Sequence, residues 1–218
     1  MTRWFYVSIA LALVAAGGSL YVYLFHYDQL PDQLPVHWGI EGTPDDWMAK
    51  GTALVLWPAV VAGVVLLTLV LPWLSPRHFE VEPFRATYGY LMALVAGLLT
   101  YMHLVVLWGA LWPGFSTERW LFGGLFLLFA LMGNVLGRVR RNFWMGVRTP
   151  WTLASETVWI QTHRLTAWLF TAFGLAGFVA VLLGVNMLWC FASLIAVALV
   201  PVVYSLVFYK RLERQGRV

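Results

Sequence analysis

Two stretches of the chain gather the residue types that do chemistry. The first, LPDQLPVHWGIEGTPDDWMAK from Leu30 to Lys50, sets His37 and Glu41 beside Asp45 and Asp46, a nitrogen and oxygen donor set of the kind that holds a metal. A four-residue step aligns two ligands only on a helix, and Gly39, Gly42 and Pro44 break any helix there. Pro31 and Pro35 push the residues before them toward extended backbone, so Leu34 to Trp38 is expected to run as a strand-like segment. Three readings stay open: a structured cap over helix ends, a ligand-recognition surface, and a metal site. A further reading has Asp45 or Asp46 capping a short helix that leads into the next apolar run. Asp28 and Asp32 complete an acidic patch against the single Lys50.

The second stretch, GNVLGRVRRNFWMGVRTPWTLASETVWIQTHR, runs from Gly133 to Arg164. Gly133 and Gly137 form a small-xxx-small pair that lets a neighbouring helix approach, and Asn134 beside them needs a partner at that depth. Arg138, Arg140 and Arg141 suit lipid phosphates at a membrane surface. Thr149 before Pro150 must be extended and Gly146 permits a sharp turn, so Asn142 to Trp151 is expected to be an ordered, hairpin-like loop. Ser155 and Glu156 read as a helix start, with the hydroxyl accepting an orphan N–H and the carboxylate at the positive dipole end. Trp159, Thr162, His163 and Thr166 then fall on one helical stripe, which serves either helix pairing or a polar functional contact.

His103 stands alone in an apolar run, either as a satisfied interior histidine or as part of a proton relay with His163 or His26. No nucleophile elbow, P-loop, zinc helix or paired-cysteine site is present, so no catalytic residue is assigned and no cofactor is expected. Cys190 has no partner for an intramolecular disulfide.

The elements that position these residues are set by composition. Of 218 residues, 61% are hydrophobic and 11% charged, against about a quarter charged in soluble domains. The 13 Trp suit membrane interfaces, where an apolar ring and a polar N–H are both accommodated. A spanning helix needs about 20 apolar residues. Six stretches qualify: Trp4 to His26, Thr52 to Leu74, Thr87 to Leu111, Trp120 to Gly137, Leu165 to Gly184, and Met187 to Tyr209. The first runs too long for a cleaved signal peptide and is expected to be a span. The fold class is therefore all-α, a bundle of six transmembrane helices. Residues 1–112 form an amino-terminal region with an acidic outer loop at 28–51, and residues 113–218 a second region with a basic inner loop at 138–163.

Of the 14 Lys and Arg, all but Lys50 and Arg119 fall on one side if both termini are cytoplasmic, which predicts that orientation. The same distribution accounts for the net charge of +4, so direct nucleic-acid binding is not expected.

The inner segment from Asn142 to Arg164 resembles the signature of the SdpI immunity-protein family. The outer segment from Leu34 to Lys50 is similar to the uncharacterised membrane domain that accompanies it. The resemblance implies a bacterial inner-membrane protein that protects its cell from a secreted toxic peptide and draws a transcriptional repressor to the membrane. It further implies functional roles for Asn142, Gly146, Arg148, Thr149, Pro150, Trp151, Glu156, Trp159 and His163 inside, and for His37, Gly42, Asp46 and Lys50 outside. Besides lipid, the partners it points to are a toxic peptide on the outer face and a repressor on the inner. The competing expectations are a membrane enzyme or transporter using Asn134, Arg148, Glu156 and His163, and a structural partner of another membrane protein.

Overall fold

The computed structural model describes residues 2–217. Six helices among them are long and apolar enough to cross a membrane: α1 (Arg3–Phe25), α2 (Lys50–Trp73), α3 (Arg85–Leu111), α4 (Thr117–Leu136), α6 (Glu156–Leu182) and α7 (Met187–Arg214). A short helix, α5 (Pro150–Ala154), precedes α6, and two strands, β1 (Gln33–Trp38) and β2 (Pro44–Ala49), join α1 to α2. In hydrocarbon each backbone N–H and C=O must find its partner within the segment, so runs this apolar fold as helices.

Which faces turn inward is decided by size more than by polarity. Leu13, Val55, Leu66 and Trp168 are exposed on the outside of the bundle, whereas Ala15, Val61 and Ala96 are fully buried where α1, α2 and α3 meet. Lipid solvates leucine as well as a protein core does, so helices gain by pairing small residues that bring backbones together. The tightest case is α4 against α6. A Cβ on Gly133 would lie 2.5 Å from Thr171 N, and one on Gly174 would strike Ala130 N and lie 2.6 Å from Phe126 O. Each helix thus supplies a glycine where the other's backbone passes. Helices α1, α2 and α3 pack together, α6 packs on α4 and α7, and α3 meets α4.

The expected strand-like segment is real, and it has a partner. β1 pairs antiparallel with β2 in the register Leu34 to Met48 and Trp38 to Pro44, with irregularities around His37. Asp45 and Asp46 therefore lie in a strand. They cap no helix; α2 starts after Ala49, and Asp46 Oδ1 accepts from the backbone N–H of Trp47 at 2.9 Å.

An isolated two-stranded hairpin is marginal, and this one is fastened to the bundle. Leu34 is buried against Val22, Leu54 and Leu107. Gly42, at φ +81°, brings the turn so close to α7 that a Cβ would lie 2.9 Å from Met187. At the root, Lys50 Nζ donates to Leu30 O at 3.1 Å, lies 3.4 Å from the Asp32 carboxylate and sits over the Tyr27 ring.

Candidate functional site

Two candidate regions lie at opposite ends of the bundle. At the arginine end, the segment between α4 and α6 is held by a dense set of polar contacts. Asn142 is fully buried. Its Oδ1 accepts from the N–H groups of Trp144 and Met145 at 2.8 and 2.7 Å, and its Nδ2 donates to Arg140 O and Met145 O at 2.9 and 3.1 Å. One side chain thus fills its bonding capacity and shapes the turn. The Trp144 indole N–H then reaches Ser75 Oγ at the end of α2, 2.7 Å away. Arg141 donates to Leu153 O at 3.1 Å and lies over the Phe79 ring.

The next turn is built around His163. Gly146 has φ +102°, and a Cβ there would collide with His163 Nε2, so both the backbone conformation and the space call for glycine. The Val147 N–H donates to His163 Nε2 at 3.0 Å, so that nitrogen is the acceptor and the proton resides on Nδ1, which bonds Trp159 O at 2.9 Å. The Trp159 ring stacks on the imidazole at 4.0 Å, and its indole N–H donates to Val139 O at 2.8 Å. Thr149 caps α5 through reciprocal bonds with Thr152, with Pro150 as first helical residue, and Thr149 Oγ1 meets Ser205 Oγ of α7 at 3.0 Å. Thr152 Oγ1 donates to Val147 O at 2.8 Å.

The buried stripe Trp159, Thr162, His163 and Thr166 is present as expected. Thr166 donates to Thr162 O, while Thr162 Oγ1, shut off from the surface, has no partner among the described residues. Three expectations need correction, and one open alternative closes. Asn134 faces outward with no side-chain partner among the described residues, because the α4 face that meets α6 is that of Gly133. Ser155 starts α6 without a side-chain cap, its place in the turn being fixed by its own N–H to Trp151 O. His103 is the interior histidine of the first alternative: it bonds Ser19 Oγ at 2.8 Å, whereas His26 bonds Gln29 and Tyr21, and among the described residues no hydrogen bond joins His103 to His26 or His163. Arg138, Arg148 and Glu156 are exposed, and Arg148 donates only to Phe143 O. The polar set expected for an enzyme or transporter, Asn134, Arg148, Glu156 and His163, is therefore not gathered into one buried site.

The second region is the hairpin end. His37 Nδ1 lies 2.5 Å from Asp45 Oδ1, and both side chains are largely exposed. Glu41 is exposed nearby, but among the described residues no three His, Cys, Asp or Glu side chains come together as a metal cluster. Beneath the hairpin is a cavity of about 220 Å³, roofed by Val36, His37 and Trp38 and walled by Trp57, Leu121 and Phe191. At its floor is His103, 2% exposed, whose Nε2 is engaged by Ser19 and whose Nδ1 makes no hydrogen bond among the described residues. Sequence reasoning noticed His103 and the acidic hairpin separately. Nothing local in the sequence joins residues 37 and 103.

Residues 138–205 match the SdpI/YfhL protein family, and residues 13–62 match a domain of unknown function, DUF1648. The immunity protein SdpI of Bacillus subtilis (strain 168) is 24% identical over 159 residues, which is 73% of this chain and 73% of that protein. No solved structure matches the chain. The loop around Asn142 and His163 lies wholly inside the first match and the hairpin wholly inside the second, so the segment similar to the SdpI/YfhL family follows the segment similar to DUF1648.

Proposed function

We propose that this is a multi-pass immunity protein of the bacterial inner membrane, with both termini cytoplasmic, that protects its cell by engaging a secreted toxic peptide at the hairpin end. The observation that carries the reading is the cavity roofed by the hairpin: it is mostly apolar, with His103 at its floor and His37 in its roof, and the hairpin that roofs it carries Asp45, Asp46 and Glu41 on its exposed surface. A cationic amphipathic peptide meets an acidic rim first and an apolar recess second. The rim attraction acts within about 8 Å at physiological salt, so it steers the encounter, while apolar burial holds the complex. Similarity to an immunity protein supports the same reading. The arginine distribution supports a hairpin on the outer face.

On the inner face, the loop built on Asn142 and His163 presents Phe143, Arg148 and Pro150 outward. A fixed, basic and partly apolar surface of that kind is what a cytosolic repressor would dock on. The test is expression in a peptide-sensitive strain, with binding of the same peptide to purified protein. Protection that falls when His103 is replaced by Leu, or when Asp45 and Asp46 are replaced by Asn, is the expected result. Neither protection nor binding by the unaltered chain would overturn the proposal.

A further inference from the structure

A second, larger feature lies on the cleft between α3 and α4 and uses none of the hairpin. At the arginine end of that cleft is a polar groove of about 690 Å³, lined by Arg85, Arg138, Arg140, Arg164 and Glu82. Glu82 lies 3.3 Å from Arg85, and among the described residues the other three arginines have no carboxylate partner. The groove also takes in the start of α3, whose positive dipole end favours an anion.

One turn along α3, from Thr87 to Tyr90, begins an apolar groove of about 470 Å³. It follows Tyr90, Leu94 and Tyr101 on α3 and Leu127, Leu131 and Trp120 on α4, and Trp4, Val7 and Leu11 of α1 also line it. From Tyr90 to Tyr101 the rise is about 16 Å, close to the depth of one hydrocarbon leaflet. On α4, Asn134 lies three residues from Leu131 and four from Arg138, lines neither groove, and is exposed without a side-chain partner among the described residues. In chain order the helix thus runs apolar, amide, cationic. From the arginine end, that order matches an anionic headgroup, an ester linkage and an acyl chain.

We propose that the α3–α4 cleft binds an anionic phospholipid, with Arg138, Arg140 and Arg164 on the phosphate, Asn134 at the ester carbonyls and an acyl chain along Leu94 and Leu127. Three arginines without carboxylate partners around one recess repel one another until an anion is seated, and Trp120, Leu127 and Leu131 leave the apolar groove open at the surface of the bundle. A free phosphate would satisfy the head of the cleft and leave the apolar part unused.

The full chain, purified in detergent, is titrated with phosphatidylglycerol, with phosphatidylcholine of the same acyl chains, and with inorganic phosphate alone. Melting temperature and lipid retained per chain after washing are read together. Phosphatidylglycerol should be retained and should raise the melting temperature, with phosphatidylcholine and inorganic phosphate giving little of either effect. The R138Q/R164Q variant should bind phosphatidylglycerol about thirtyfold more weakly, at about tenfold or less for each cationic contact. These side chains are exposed, so the variant should keep the lipid-free melting temperature. L127W narrows the apolar groove and leaves every arginine in place; it should lower lipid retention as well. Equal retention of the two lipids, an unchanged affinity in R138Q/R164Q, or an inorganic phosphate effect equal to that of phosphatidylglycerol would each overturn the proposal.

Discussion

The two ends of the bundle solve opposite problems with similar residues. At the arginine end a buried histidine has both ring nitrogens occupied, a buried asparagine makes four hydrogen bonds, and a glycine exists where any side chain would collide with that histidine. At the hairpin end a buried histidine has one nitrogen bonded and lines an open recess, while the acidic side chains above it are solvated. Saturated polar groups fix one shape, because leaving any of them unpaired is costly. Unsaturated ones beside a cavity are available to a ligand. The first end is built to hold its form, and the second to accept something.

The contrast can be broken most forcefully at Asn142. Asn142→Ala strands two backbone N–H groups and two carbonyls in a partly buried turn and should cost about 3–4 kcal/mol, at about 1 kcal/mol for each orphaned group that water reaches only in part. Thermal unfolding in detergent would show it; a loss under about 1 kcal/mol would mean the loop is held by something else. Gly146→Ala forces a side chain into the positive-φ region and into His163, for an expected cost of about 2–4 kcal/mol by the same assay. At the other end, His37→Ala removes an exposed pair with Asp45 and should change stability by about 1 kcal/mol or less. Peptide protection should nevertheless fall, and a stability loss as large as that of Gly146→Ala would erase the distinction between the ends.

The smallest effect sharpens the comparison from within. Thr162→Val removes the one unpaired buried hydroxyl on the stripe and should leave stability unchanged or raise it by up to about 1 kcal/mol. A clear loss would reveal an unseen partner for Thr162 and a polar role for that position.

The six spans were legible because lipid imposes a length and a composition that no soluble fold needs; the first four helices begin and end within a few residues of the expected ones, whereas α6 starts at Glu156 rather than Leu165 and α7 runs on to Arg214 rather than Tyr209, because a helix continues past the apolar run that marks its span. Leu34 to Trp38 was legible as extended backbone through its prolines, and the stripe from Trp159 to Thr166 through its spacing. What escaped was every pairing across the chain. Nothing near Trp144 announces Ser75, nothing near Thr149 announces Ser205, and the strand that pairs with β1 was read as a turn or a helix start because Pro44, Asp45 and Asp46 have low strand propensity. Ser155 and Asn134 failed for a related reason. Their local rules were sound, but Ser155 is held by a backbone turn and Asn134 lies on the face that α6 leaves free.

The glycine contacts between α4 and α6 have a mechanical consequence. At Gly133 and Gly174 the backbones touch with no side chain between them, and the aromatic pairs Phe126–Phe173 and Phe129–Phe170 fill the rest of the seam, so the two helices are closely coupled there. The first of them walls the recess under the hairpin, and both run into the loop at the far end. A movement of α4 at the recess is therefore one that α6, and with it the His163 end of the loop, is placed to share.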